Sequence, residues 1–141
     1  MTCAHHCLLT QLCRLLDQVG EHGIHLRRAL LPTDQLGEVE FATNMITIST
    51  DASPPESRVA LVHELVHLMR GPAYVDEVAH EEQTVREITA RLLVPRNYLP
   101  AILEASDPHQ VAAELAIDLP TATLGIQLAV ADDAVLDEGA A

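Results

Sequence analysis

Apolar positions along this chain recur at helical spacing near both ends and alternate briefly in between. Leu8, Leu12, Leu15, Leu16 and Val19 form a stripe that predicts an N-terminal helix over residues 1–20, which "GEHG" interrupts at Gly20 to Gly23. The segments "EVEFA" and "MITIS" then alternate on either side of "TN". Val39, Phe41, Ile46 and Ile48 are expected to share one face of a hairpin over 38–49. In "STDASPPES", Ser53 is a helix cap, the prolines fit a first turn, and Glu56 stands three residues on, as a capping box requires. The helix that starts there should stop at Gly71 and Pro72. A second helix, with Val78, Val85 and Leu92 on one side, should end at Pro95, so that residues 54–95 form a helix pair. A short helix and then two more, joined near "IDLP", are expected over 97–131, with 132–141 as a frayed acidic tail. No repeat, linker or second boundary interrupts the pattern, which predicts one mainly helical α+β domain over 1–141.

Composition narrows the partners. Of the 141 residues 48% are apolar, yet Trp is absent and Phe41, Tyr74 and Tyr98 are the only aromatic residues besides histidine, so Leu, Val, Ile and Ala must build the core. The net charge of -13 sets 21 acids against 8 arginines with no lysine, a field that repels phosphate backbones and anionic lipid heads. Nucleic acid and membrane surfaces are therefore not expected as partners. "LAIDLPTATLGIQLAV" has some likeness to a helix-turn-helix, but residues 97–141 hold no Arg or Lys to grip phosphates and carry eight acids, which makes it a packing or protein-recognition element. No apolar run approaches the roughly 20 residues of a membrane span, the amino terminus lacks a basic leader, and three cysteines make a poor disulfide framework. These features predict a soluble, reduced, cytoplasmic protein. Cys3, His5, His6 and Cys7 in "CAHHC" are competent metal ligands, but their spacing matches no common knuckle and the Leu8 stripe runs directly out of them, so they are assigned to the start of a packing helix.

The chemistry concentrates in "HELVH". On a helix His63 and His67 lie about 40° apart and one turn along the axis, near enough for both imidazoles to reach one tetrahedral ion, while Glu64 points about 100° from His63 and is placed to act on water. The competing interpretation is a polar stripe of Glu56, Ala60, His63, His67 and Arg70 that faces solvent. A third protein ligand decides between them, and the acids downstream are Asp76, Glu77, Glu81, Glu82 and Glu87. With Val85 at the centre of the apolar face, Glu81 lies about 40° to one side, Glu82 about 60° to the other, and Glu87 nearly opposite. Helix geometry leaves Glu81 and Glu82 both open.

"HELVH" followed about 15 residues later by "EQTVREITARLLVP" resembles the ImmA/IrrE family of zinc metallopeptidases, which pair an HExxH helix with a second helix of the form E-x-x-A-x-x-F-A-x-x-L-L-x-P. Counting back from Pro95 lands on Glu82. Val85, Ile88, Ala90, Leu92 and Leu93 follow the small and apolar positions, with Ile88 for the usual aromatic and with Val85 and Thr89 as departures. The resemblance extends over roughly residues 40–130. It implies a minimal zincin-like fold in which His63, His67 and Glu82 hold Zn²⁺ and Glu64 is the general base. It also implies an endopeptidase whose partner is a protein substrate, typically a repressor of a mobile element, a phage or a stress regulon. Tyr74, His80 and Tyr98 are possible oxyanion donors, and spacing selects none. Two other classes remain: a zinc-containing but proteolytically silent module that docks on a transcriptional regulator, and a helical protein without metal.

Overall fold

The computed structural model describes residues 23–100 and 105–140. A three-stranded sheet comes first, built from β1 (His25–Ala29), β2 (Gly37–Glu40) and β3 (Met45–Ser49). The spatial order is β1-β3-β2, with β3 parallel to β1 and antiparallel to β2. Four α-helices follow: α1 (Pro54–Arg70), α2 (Val78–Leu93), α3 (Pro108–Leu115) and α4 (Leu119–Ala140), with single 3-10 turns at Val75–Glu77 and Arg96–Tyr98. This is the mainly helical α+β arrangement that the pattern predicts; the expected helix over 1–20 and its "CAHHC" lie outside the described residues.

The β2–β3 hairpin forms because Val39 and Ile46 pair across it and Asn44 takes a positive φ of 53°, a conformation asparagine tolerates in turns. Phe41 differs from expectation: it has already left the strand for the turn, while Val39, Ile46 and Ile48 keep the shared face. The periodicity also gave no sign of β1. "HLRRA" does not alternate, and most of this edge strand is exposed; its two arginines suit an edge that should not recruit another strand. Arg27 Nε donates to Thr47 Oγ1 at 2.8 Å, a link from β1 to the central strand.

Helix α1 begins at the expected capping box: Ser53 Oγ accepts from the Glu56 N–H, and Glu56 Oε1 accepts from the Ser53 N–H at 3.0 Å. It ends at Gly71, whose N–H makes the last helical bond, to the His67 carbonyl, and whose φ of 84° then turns the chain out of the helix. Between these caps α1 serves two cores. Ala60 and Leu65 pack with Ile46 and Ile48 under the sheet. Val62 and Val66 enter a larger cluster with Val85, Leu93, Val94, Val111, Leu115, Ile117 and Ala122 from α2 to α4. In α2, Val85 is fully buried and Leu92 packs beside it, but Val78 is 55% exposed. Val78 occupies the first turn, where it lines an open cavity instead of the core.

The link between α3 and α4 is tight. Ala116 adopts a left-handed conformation, Asp118 Oδ1 accepts from the Thr121 N–H at 3.0 Å, and the axes bend by 115°. Helix α4 comes so close to the end of α2 that a Cβ on Gly125 would sit 2.6 Å from Val94 Cβ. The acidic 132–141 segment, expected to fray, continues α4 to Ala140. Arg91 holds Asp132 with two bonds of 3.0 Å and Arg96 grips Asp133, so basic groups from the preceding elements neutralise part of the acidic end. Among the described residues no single helix is long and apolar enough to cross a membrane.

Candidate metal centre

The antiparallel approach of α1 and α2 through Val62, Val66 and Val85 brings the predicted residues together. His63 Nε2 lies 2.7 Å from Glu82 Oε1 and His67 Nε2 lies 2.9 Å from Glu82 Oε2. The imidazoles meet edge to face with centroids 4.9 Å apart, and one ligand atom from each of the three residues lies within 4.8 Å of the other two. The histidine side chains are only 17% and 16% exposed, against 43% for Glu82, so the trio is reachable from the carboxylate side. Each ring donates an Nε2–H to one of the two carboxylate oxygens. Two imidazoles and a carboxylate converging on one point are also the donor set of a catalytic zinc site with a position left open.

The neighbouring acid behaves differently. Glu81 points back to the end of α1, where Arg70 Nη2 donates to its Oε2 at 3.1 Å. That pairing separates two acids that helix geometry alone leaves open, because an arginine at the last turn of α1 meets one side of α2 and the histidines meet the other. Glu87 accepts from Gln83 Nε2 at 3.3 Å, and Asp76 and Glu77 are exposed in the 3-10 turn. Of the possible oxyanion donors, Tyr74 is 79% exposed, His80 is exposed, and Tyr98 donates its hydroxyl to Glu114. Burial and that bond push the Tyr98 phenol up to about 12.

Electrostatics follow from burial. Desolvation pushes the Glu64 carboxyl up to about 7, with the charges of Glu82 and Glu38 adding to it. Burial acts in the same sense on Glu82, but the two imidazoles more than offset it and hold this carboxyl below the usual range. His63 is held below its ordinary value, mainly because burial disfavours the imidazolium and in part because of nearby positive charge that includes Arg86; Glu82 resists the shift.

Sequence reasoning missed the residues that frame Glu64. It lies under β2, where a Cβ on Gly37 would fall 3.0 Å from Glu64 Cγ and 3.1 Å from its Oε1. Glu64 is 7% exposed and has no hydrogen-bond partner among the described residues. Its open side is a cavity of about 410 Å³ lined by Gly37, Glu38, Val39, His67, Val78 and Glu82, among others. The sequence signal was present in retrospect, since a glycine opens a strand that would otherwise carry a side chain there.

A family model described as the IrrE N-terminal-like domain, of the M78 peptidases, matches residues 19–121, a span that includes the sheet, the two site helices, α3 and the start of α4. No curated protein matches the chain significantly.

Proposed function

The chain belongs to the IrrE N-terminal-like family of M78 metallopeptidases, and from that premise we propose that it is a zinc-dependent endopeptidase that cuts a specific regulatory protein, such as a repressor. The observation that carries this reading is the single carboxylate of Glu82 meeting both Nε2 atoms of the HExxH helix, with a second, buried carboxyl beside them. His63, His67 and Glu82 are the ligands. Zinc bound there supplies a Lewis acid that acidifies water and polarises a scissile carbonyl.

Glu64 supplies the proton traffic. Its carboxylate takes a proton from the attacking water and delivers it to the leaving amine, a task suited to a group poised near neutral pH. Gly37 leaves room for that carboxylate to turn toward the cavity. As an edge strand beside the same cavity, β2 has backbone groups for an extended peptide to pair with. The regulatory substrate follows from the resemblance of the two motif helices. We read the protein as cytoplasmic, acting on a protein partner without nucleic acid or membrane.

A second reading is a zinc-containing, proteolytically silent module that docks on a transcriptional regulator. It draws on an exposed apolar rim at the last turn of α1 and just beyond it, where Met69 is 68%, Tyr74 79% and Val75 95% exposed. Protein purified without a histidine tag should carry about one zinc per chain, lost in His63→Ala. Glu64→Gln should keep the zinc and the bound partner while cleavage falls by at least about 100-fold. Undiminished cleavage in Glu64→Gln removes the mechanism, and zinc with partner binding but no cleavage in the wild type selects the silent module.

A further inference from the structure

A second cavity, of about 170 Å³, lies on the other flank of the centre, against His63. Its walls are Val59, Pro120 and Leu124, and its polar groups are Arg86, Thr89, Asp118 and Thr121. Arg86 stands one turn after Glu82 on α2 and has no hydrogen-bond or ion-pair partner among the described residues. Thr89 is 2% exposed, and its Oγ1 is buried without a partner. A buried hydroxyl left unpaired is unfavourable, so this one belongs to a pocket whose proper occupant is polar. The carboxylate of Asp118 is partly engaged, with Oδ1 accepting from the Thr121 N–H.

The polar groups discriminate among occupants. A lysine or arginine would meet the Arg86 charge, and an aspartate or glutamate would meet Asp118. An aliphatic side chain would leave the buried Thr89 Oγ1 unsatisfied. A carboxamide carries an acceptor for the guanidinium on one atom and two donors for Asp118 and the hydroxyls on the other. The volume is room for about five water-sized groups, ample for the five heavy atoms of a glutamine side chain. We propose that this cavity is a recognition pocket for an asparagine or glutamine side chain of the polypeptide held at the metal centre. Only the polypeptide's being a substrate rests on the peptidase reading. Neither motif helix forecasts the pocket, which is made by Arg86 and Thr89 of α2 facing the start of α4.

The test uses full-length, isotopically labelled, zinc-free protein titrated with N-acetyl-glutamine N-methylamide and, separately, with the glutamate, leucine and lysine counterparts. The glutamine probe should shift the backbone amides of Thr89 and Thr121 and the Nε–H of Arg86, with an affinity about fivefold or more above that of the other three. Arg86→Gln should weaken it by about fivefold, and Asp118→Asn, which keeps a helix-capping side chain, should raise the glutamate probe toward the glutamine one. No shifts at these residues, equal affinity for the leucine or glutamate probe, or an unchanged affinity in Arg86→Gln overturns the proposal. A digest of a denatured proteome by the zinc-loaded protein decides the other reading separately. Probe binding with no cuts rejects the peptidase and keeps the pocket, whereas cuts without probe binding do the reverse.

Discussion

The two sides of α2 are held by opposite means. Toward α1 it carries polar and ionisable groups into a partly buried seam, where Glu82 joins His63 and His67. Toward α4 it packs Val94 against Gly125 with almost no free space, and its ion pairs, Arg91–Asp132 and the nearby Arg96–Asp133, stay at the exposed edge. Burying charge is unfavourable unless something compensates, so the first side is a poor way to stabilise a fold and a good way to make a ligand site. Apart from the Arg86 and Thr89 cavity at the start of α4, the second side stabilises and does no chemistry. The contrast extends to Glu64, a buried carboxyl without a partner that the scaffold tolerates beside the histidines.

Substitutions should separate the two sides by both size and kind of effect. The largest is expected at Gly125→Ala: its Cβ would overlap Val94 within 2.6 Å, and urea unfolding should show a loss of about 3 kcal/mol with zinc affinity nearly unchanged. Next is Glu64→Gln in zinc-free protein. The folded-state carboxyl stands near 7 against an ordinary 4.5, so the fold favours its protonated form, and the penalty grows as pH rises between those values and is complete above 7. Glutamine removes that penalty. The variant should be more stable than wild type by on the order of 2 kcal/mol at pH 8 and no different at pH 4, as thermal melts at the two pH values would show. Gly37→Ala should displace the Glu64 carboxylate and reduce kcat about tenfold while zinc content and stability hold. Arg91→Ala, on the stabilising side, should cost less than about 1 kcal/mol in the same urea assay. A loss of zinc affinity in Gly125→Ala out of proportion to its loss of stability would contradict the division.

How much of this was legible depended on whether a signal was local. The capping box at Ser53 and Glu56, the stop at Gly71 and the alternation of "MITIS" are short-range rules, and the structure shows them. β1 was not legible because four successive residues of the strand are exposed, so neither of its faces calls for apolar side chains, and "HLRRA" does not alternate. The persistence of α4 to Ala140 depends on arginines about 40 residues earlier in the chain. Helix angles could not rank Glu81 against Glu82, because the answer lay in what α1 presents opposite each: Arg70 to one, the imidazoles to the other. The resemblance pointed to Glu82, and the structure brings that residue to both histidines. The Gly37 cradle and the Arg86 and Thr89 cavity needed three dimensions, since each joins elements far apart in sequence.

That α1 is shared by both hydrophobic clusters has a thermodynamic corollary. A ligand of His63 and His67 clamps the one segment on which the sheet and the helical bundle both rely, so its mass-action stabilisation, RT ln(1 + [L]/Kd), reaches the whole domain at once. Chelators should accordingly melt the molecule in one cooperative step at a lower temperature, with strands and helices leaving together.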